Sequence, residues 1–140
     1  MFTVDYEGER YSVNCIVNRR RPRVRRFVID TGAKFTCCSY DYIDPELKEE
    51  DFADTESKLL GGFVADVGMK FYKCELTQFT IGTVDCGAQS IWITFDPRIA
   101  DCLLGMDILH STCFLNNPDE MCLEIYSDMR DLAEELSKRI

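Results

Sequence analysis

Residues 27–33 constrain the fold of this chain more than any other stretch, because they join a buried strand to a sharp turn through an acidic residue. The stretch reads Phe-Val-Ile-Asp-Thr-Gly-Ala. Three large apolar residues in succession favour a strand that is buried on both faces, and Gly32 permits a tight turn directly after it. The carboxylate of Asp30 costs free energy at this position unless it is paired or has a chemical task.

A later segment, at residues 101–109, combines a short apolar strand with a glycine. It reads Asp-Cys-Leu-Leu-Gly-Met-Asp-Ile-Leu, and a short helix is predicted over 106–110. The two segments together resemble the active-site segments of the retropepsin-like aspartic proteases, the single-domain, retroviral-type family. The resemblance implies a mainly β fold, a closed acid-protease-like β-barrel lobe that carries a flap hairpin and short helices.

The resemblance also implies an activity, the hydrolysis of peptide bonds by a water molecule that two aspartates activate. Asp30 is the implied catalytic residue, and its implied supports are Thr31, Gly32 and Ala33. Because each chain carries one such motif, the implied enzyme is a homodimer in which the two copies of Asp30 meet on a two-fold axis. The implied substrate is a peptide or protein, and no metal ion or cofactor is implied. The alternative is a catalytically silent peptide-binding or assembly module with the same fold.

A glycine-containing segment at residues 59–72 predicts a β-hairpin, because its glycines stand between residues of high β-propensity. Retropepsin-like enzymes close such a hairpin, the flap, over the substrate, and this segment lies at the corresponding place in the chain. The resemblance therefore implies a set of substrate-binding flap residues: Val64, Ala65, Asp66, Val67, Gly68 and Met69. A plain hairpin that contacts no ligand is the alternative.

The rest of the pattern predicts one domain over residues 1–126, with strands over 2–6, 11–17, 24–29, 35–40, 76–81, 90–95 and 101–104 and a last hairpin over 113–126. A helix-start signature at Asp44-Pro45-Glu46 predicts a helix that ends near Asp51. Residues 127–140 predict an amphipathic C-terminal helix with five residues on its apolar face: Met129, Leu132, Ala133, Leu136 and Ile140. Retroviral enzymes usually end in a strand instead, so this helix either packs on the domain or lies at the dimer interface.

Composition limits the classes of partner. The net charge is −9, and no apolar run reaches the roughly 18 residues that a membrane span requires. We therefore expect neither a membrane nor nucleic acid as a partner, and the lack of an N-terminal export signal predicts a cytoplasmic location. Six of the 16 basic residues lie between Arg19 and Arg26. This basic run is either an exosite for an acidic peptide or a solvated hairpin loop that keeps a sheet edge from pairing.

The numbers and positions of the cysteines and of the histidine limit the kinds of disulfide, metal and catalytic site that the chain can form. The chain has 8 cysteines but no Cys-x-x-Cys pair, so reduced thiols that act as small hydrophobic side chains are expected. His110 is the only histidine, which excludes a site built from several histidines. Its place beside Leu109, at the end of a short predicted helix, favours a structural role.

Asp85 stands in a sequence that imitates the Asp30 motif, Val84-Asp85-Cys86-Gly87-Ala88. A thiol is a poor substitute for the threonine hydroxyl as a hydrogen-bonding group. In addition, a Gly-Thr turn precedes this aspartate, whereas a buried apolar strand precedes Asp30. Asp85 is therefore not expected to be catalytic.

Overall fold

Strands dominate the regular structure of this chain. The computed structural model describes residues 1–8, 10–64 and 67–140. Within them lie the strands β1 (Phe2–Glu7), β2 (Arg10–Asn18), β3 (Pro22–Ile29), β4 (Cys37–Ser39), β5 (Ser57–Val64), β6 (Val67–Leu76), β7 (Gln78–Ile81), β8 (Val84–Asp85), β9 (Gln89–Thr94), β10 (Leu103–Leu104), β11 (Cys113–Asn117) and β12 (Cys122–Tyr126). The helices are α1 (Met106–Leu109), α2 (Met129–Ser137) and two 3-10 helices, Tyr40–Tyr42 and Glu49–Phe52. The prediction of a mainly β fold is confirmed.

The strands form one sheet with the hydrogen-bonded order β11-β12-β1-β2-β3-β10-β4-β9-β6-β5, and β7 pairs with β2 and β8 beside this path. The prediction of a closed barrel is wrong, because no pairing among the described residues joins the outer strands β11 and β5. The physical reason lies in β2. Its start pairs with β1 through Tyr11 and Tyr6, whereas its end pairs with β7, so the sheet branches along one edge instead of closing.

The hairpin of β2 and β3 positions residues 27–33, because β3 includes residues 27–29 and leads directly into the turn that follows. Its register runs from the pair Tyr11 and Ile29 to the pair Asn18 and Pro22. Along β2, buried side chains alternate with more exposed ones, as expected for a strand with one face on the core. Phe27 is fully buried, and its ring packs edge-on against neighbouring aromatic rings. The strand that ends at Asp30 is therefore anchored in the hydrophobic core.

The prediction of a helix from Asp44 to Asp51 is wrong about where the helix begins. Asp44 instead closes a turn, in which the Glu46 N–H donates to Asp44 Oδ1 over 2.9 Å, and the helical residues are Glu49–Phe52. A short helix depends on burying an apolar face, and Leu47 is the one large apolar side chain between Pro45 and Asp51. Phe52, which is buried, fixes the segment at its far end.

The helix α2 spans Met129–Ser137, a shorter range than the predicted 127–140, and the Asp128 carboxylate accepts the N–H of Asp131 over 2.9 Å. Its apolar face stays largely uncovered, since the exposed fractions are 65% for Met129 and 39% for Leu136. The helix is tied to the sheet by Arg139, which donates to the buried carboxylate of Glu124 over 2.9 Å. This hydrogen bond holds the pKa of Glu124 below its usual range. Within the described residues, no helix combines the length and the apolar character that crossing a membrane would take.

All eight cysteines are free, and five of them are buried. Burial raises the pKa of Cys74 to about 11 and that of Cys37 to about 12. These thiols are therefore protonated at neutral pH and pack as small apolar side chains. The expectation of reduced cysteines agrees with this arrangement.

Candidate active site

Asp30 is held by the pairing of two strands. β10 runs parallel to β3, with Leu103 beside Val28 and Leu104 beside Ile29. The pairing continues one residue further, because the N–H of Asp30 donates to the carbonyl of Leu104 over 3.0 Å. The aspartate therefore leaves the sheet from a fixed backbone position at the end of a buried strand.

The loop after Asp30 folds back on its carboxylate. Asp30 Oδ1 accepts the N–H of Gly32 over 2.9 Å, and the N–H of Ala33 donates to the carbonyl of Asp30 over 3.1 Å. Asp30 is half-buried, whereas Thr31 and Gly32 are exposed. Within the described part of the chain, neither Asp30 Oδ2 nor the Thr31 hydroxyl has a hydrogen-bond partner. The loop thus leaves one carboxylate oxygen and one hydroxyl available for groups outside this chain.

Gly105 joins the second sequence segment to the loop. The next residue, Met106, donates its N–H to the carbonyl of Ala33 over 2.9 Å. A Cβ on Gly105 would lie 2.6 Å from the backbone carbonyl of Phe35 and 3.0 Å from that of Ala33. Only glycine allows this close approach, so the apolar-apolar-Gly pattern supports the Asp30 loop through backbone contact.

Thr36 and Asp107 form a further brace that sequence reasoning missed. Thr36 is fully buried, and both its N–H and its hydroxyl donate to the Asp107 carboxylate, the hydroxyl over 2.6 Å. The Thr36 oxygen accepts the N–H of Gly105 over 2.9 Å. This network links the start of α1 to the residues that follow the loop. The sequence signal was an aspartate in the first turn of a short helix, where a carboxylate can accept backbone N–H groups.

A cleft of about 580 Å³ opens beside Asp30. Its walls come from the Asp30 loop, from the start of the flap hairpin and from the segment before β10: Asp30, Gly32, Ala33, Lys34, Phe35, Cys37, Leu60, Gly61, Ala100, Asp101 and Leu103. The second acid of the cleft, Asp101, forms an ion pair with Arg10 at 3.0 Å. The cleft therefore has mainly apolar walls and one carboxylate, that of Asp30, which has no cationic partner among residues 1–8, 10–64 and 67–140.

The flap hairpin consists of β5 and β6, as predicted. The predicted flap residues Ala65 and Asp66 lie outside the described residues. Met69 is buried and packs with Cys37, Phe71 and Trp92 in a cluster beneath the cleft. The hairpin contributes Leu60 and Gly61 to the cleft walls, two positions that the sequence did not single out.

A cation–aromatic cluster joins the flap to the floor of the cleft. Lys58 of β5 places its ammonium 4.4 Å from the ring centre of Phe35 and 4.9 Å from that of Trp92. The two rings meet edge-on at 5.7 Å. Such contacts contribute roughly 0.5–2 kcal/mol each, more when they are shielded from water. They connect a flap strand to the residues that follow the Asp30 loop.

Asp85 repeats the local turn of Asp30 in a different setting. The N–H of Gly87 donates to Asp85 Oδ1 over 2.8 Å, much as Gly32 does to Asp30. However, Asp85 is exposed, and it ends a two-residue strand that pairs with β7. Among the described strands, none lies beside Asp85 as β10 lies beside Asp30, and Asp85 is not one of the residues that line the cleft.

No group of three or more histidine, cysteine, aspartate or glutamate side chains within the described residues could hold a metal ion. His110 is exposed and follows α1.

Comparison with known proteins places the fold. No protein-family model matches the sequence, and no curated protein matches it. The structure is similar to the crystal structure of a retropepsin-like aspartic protease from Rickettsia conorii, with a TM-score of 0.65 and 17% sequence identity. The match covers 89% of this chain and 90% of the other. At this identity the likeness concerns the fold, and the chain has the fold of the retropepsin-like aspartic proteases.

Proposed function

We propose that this chain is an aspartic endopeptidase and that Asp30 is its catalytic residue. The observation that carries the proposal is the Asp30 carboxylate itself. It is fixed by the β3–β10 pairing and by Gly32, and it lines a cleft of about 580 Å³ beside the flap hairpin. Its Oδ2 atom accepts no hydrogen bond from any residue that the structure describes. This arrangement suits a group that has to meet both a water molecule and a peptide carbonyl.

The proposed mechanism requires two carboxylates that share one proton, as in aspartic proteases generally. The ionised one accepts a proton from water while the water oxygen bonds to the carbonyl carbon, and the protonated one donates its proton to the carbonyl oxygen. When the tetrahedral intermediate collapses, the carbon–nitrogen bond breaks and the leaving nitrogen takes up a proton from the pair. None of these reaction steps requires a metal ion or a cofactor.

The second carboxylate comes from a second copy of the chain in this proposal. Asp101 is the other acid of the cleft, but its ion pair with Arg10 engages it. We therefore propose a homodimer in which Asp30 of each copy faces the other across a two-fold axis. Thr31 is suited to brace the two loops, because its exposed hydroxyl has no partner within the described part of its own chain.

The walls of the cleft favour extended peptides with apolar side chains next to the scissile bond. Phe35, Leu60 and Leu103 supply apolar surface, and Cys37 adds a protonated thiol. Cleavage of a mixed peptide library by the purified protein, read by mass spectrometry with and without pepstatin, tests this function. Pepstatin-sensitive cuts between apolar residues support it, and a library left intact contradicts it. A cytoplasmic location remains a prediction, which the free cysteines favour.

We propose that the exposed apolar face of α2 contributes to the dimer, since a chain with half of a site has to present a surface to its second copy. Introducing Met129→Glu together with Leu136→Glu places two charges on this face. We expect sedimentation velocity to show a shift from dimer to monomer, with a parallel loss of peptidase activity. Arg130→Glu is the matched control, because it makes the same change in net charge on the polar face, where Arg130 is 87% exposed. A double variant that stays dimeric would contradict this role of α2.

A further inference from the structure

A pocket of about 300 Å³ lies where the turn between β2 and β3 faces residues 43–46. Four arginines line it: Arg19, Arg20, Arg21 and Arg23. It adjoins a second depression of about 390 Å³, which shares Arg19 and Arg20. The basic run of the sequence is therefore gathered around a concave surface at the end of β3 opposite to Asp30.

Part of the basic run has structural roles. Arg25 donates to the carbonyl of Tyr42 over 3.0 Å, and the guanidinium of Arg19 lies 5.8 Å from the ring centre of Phe52. Arg23 approaches Asp44 at 3.9 Å, with both side chains about one-third exposed. Arg19 and Arg23 line the pocket, and these contacts hold them in place, so their side chains lose little further freedom when a ligand binds.

Arg20 and Arg21 remain exposed at the rim of the pocket. Within the described residues, their side chains make no hydrogen bond and no ion pair. Like charges held close together repel one another, and an anion that enters the pocket relieves this repulsion. Two unpaired guanidinium groups beside a preformed pocket therefore indicate an anion-binding surface.

We propose that this pocket is an exosite for an acidic segment of the polypeptide substrate, a proposal that rests on the proposed peptidase function. Carboxylates suit guanidinium groups because both are planar and can form paired hydrogen bonds. Nucleic acid fits the surface less well, because Asp44, Glu46 and Asp51 also line the two depressions. A short acidic segment can place its carboxylates at Arg20 and Arg21 and stay clear of these acids, whereas a continuous phosphate backbone would also pass over them.

The geometry of β3 fixes the spacing between the two sites. The strand begins at Pro22, next to the pocket, and ends directly before Asp30. At about 3.3 Å per residue, the pocket lies roughly 25 Å from Asp30. An extended substrate can then reach both sites only if its acidic segment lies at least about eight residues from the scissile bond.

Binding to the Asp30→Asn variant of the whole 140-residue chain tests the exosite without any need for catalysis. The probes are a fluorescent peptide with a run of glutamates, the same peptide with glutamines, and a labelled single-stranded RNA. At low salt we expect the glutamate peptide to bind about tenfold more tightly than the glutamine peptide, and added salt should reduce the difference. The double variant Arg20→Gln with Arg21→Gln should lose this preference and bind the two peptides equally.

The matched control is Arg130→Gln with Lys138→Gln, which removes two exposed charges from α2 and should keep the preference. Equal binding of the two peptides, or an equal loss in the control variant, would overturn the proposal. RNA that binds more tightly than the glutamate peptide and that depends on Arg20 and Arg21 would also overturn it, in favour of nucleic acid.

A cleavage experiment with the wild-type protein separates this inference from the proposed function. Substrates with the glutamate run about ten residues from the scissile bond should show a lower KM and an unchanged kcat relative to substrates with the run about three residues away. Cleavage without this dependence on spacing contradicts the exosite and leaves the peptidase function in place. Preferential binding without any cleavage contradicts the peptidase function and leaves the anion-binding surface in place.

Discussion

We expect the replacement of Asp30 by asparagine to lower the rate of peptide hydrolysis on the order of 10²–10⁴-fold, the contribution that general acid–base groups typically make. The amide has nearly the same shape as the carboxylate, and its oxygen can still accept the N–H of Gly32, so the loop stays in place. The amide cannot take a proton from water or return one to the carbonyl oxygen. Steady-state cleavage of a fluorogenic peptide measures the effect, and an unchanged thermal transition shows that the variant folds.

Two matched controls make this result specific. Asp85→Asn alters an aspartate with the same local hydrogen bond to a following glycine, and Asp101→Asn alters the other acid of the cleft. Both variants should stay within a few-fold of the wild-type rate, because neither removes a member of the proposed pair. If Asp30→Asn keeps full activity, Asp30 is not catalytic. If Asp101→Asn is as inactive as Asp30→Asn, the second acid lies within the same chain.

Replacing Gly105 with alanine lowers the free energy of unfolding by about 1–3 kcal/mol, the usual cost of overpacking. The upper end is expected, because the new Cβ would lie 2.6 Å from backbone atoms of Phe35, which cannot turn away as a side chain can. To relieve this contact, the backbone of Phe35 has to shift, and this shift also moves the neighbouring residues that follow the Asp30 loop. We therefore expect activity to fall as well, even under conditions in which the variant is fully folded.

The control for stability is Gly61→Ala. Gly61 lines the same cleft, but a Cβ at this position would meet no atom of the described residues within 4 Å. Urea unfolding measures both variants, provided that the slope of the unfolding free energy against urea concentration is the same for each. The free energy of unfolding should fall clearly for Gly105→Ala and change little for Gly61→Ala. Equal midpoints for wild type and Gly105→Ala would contradict the close packing of the β10–α1 junction against the Asp30 loop.

Much of this fold could be predicted from short-range patterns. The apolar run before Asp30 predicted β3, and the alternation in residues 11–17 predicted β2, because each pattern reports how a strand meets the core. The spacing of apolar residues in 127–140 predicted α2 for the same reason. The resemblance also singled out residues 101–109, but the parallel pairing of β10 with β3 was seen only in the structure.

The errors arose where long-range contacts decide the outcome. Closure of the barrel depends on how β2 divides its edge between β1 and β7, and no local pattern records that division. The helix expected at Asp44 had a suitable start but only Leu47 to bury, so tertiary packing overrode the signature. The brace between Thr36 and Asp107 joins residues far apart in the chain, and a single sequence gives little sign of it.

The central claim is that one copy of the chain holds half of a catalytic pair, and a mixing experiment tests it most directly. Wild-type protein is kept at a fixed concentration well above that needed for association, and the Asp30→Asn variant is added in excess and allowed to exchange subunits. With an about ninefold excess, roughly one wild-type copy in ten pairs with another, so the account predicts activity near a tenth of its starting value. Activity that stays unchanged would show that each copy works alone and would contradict the account.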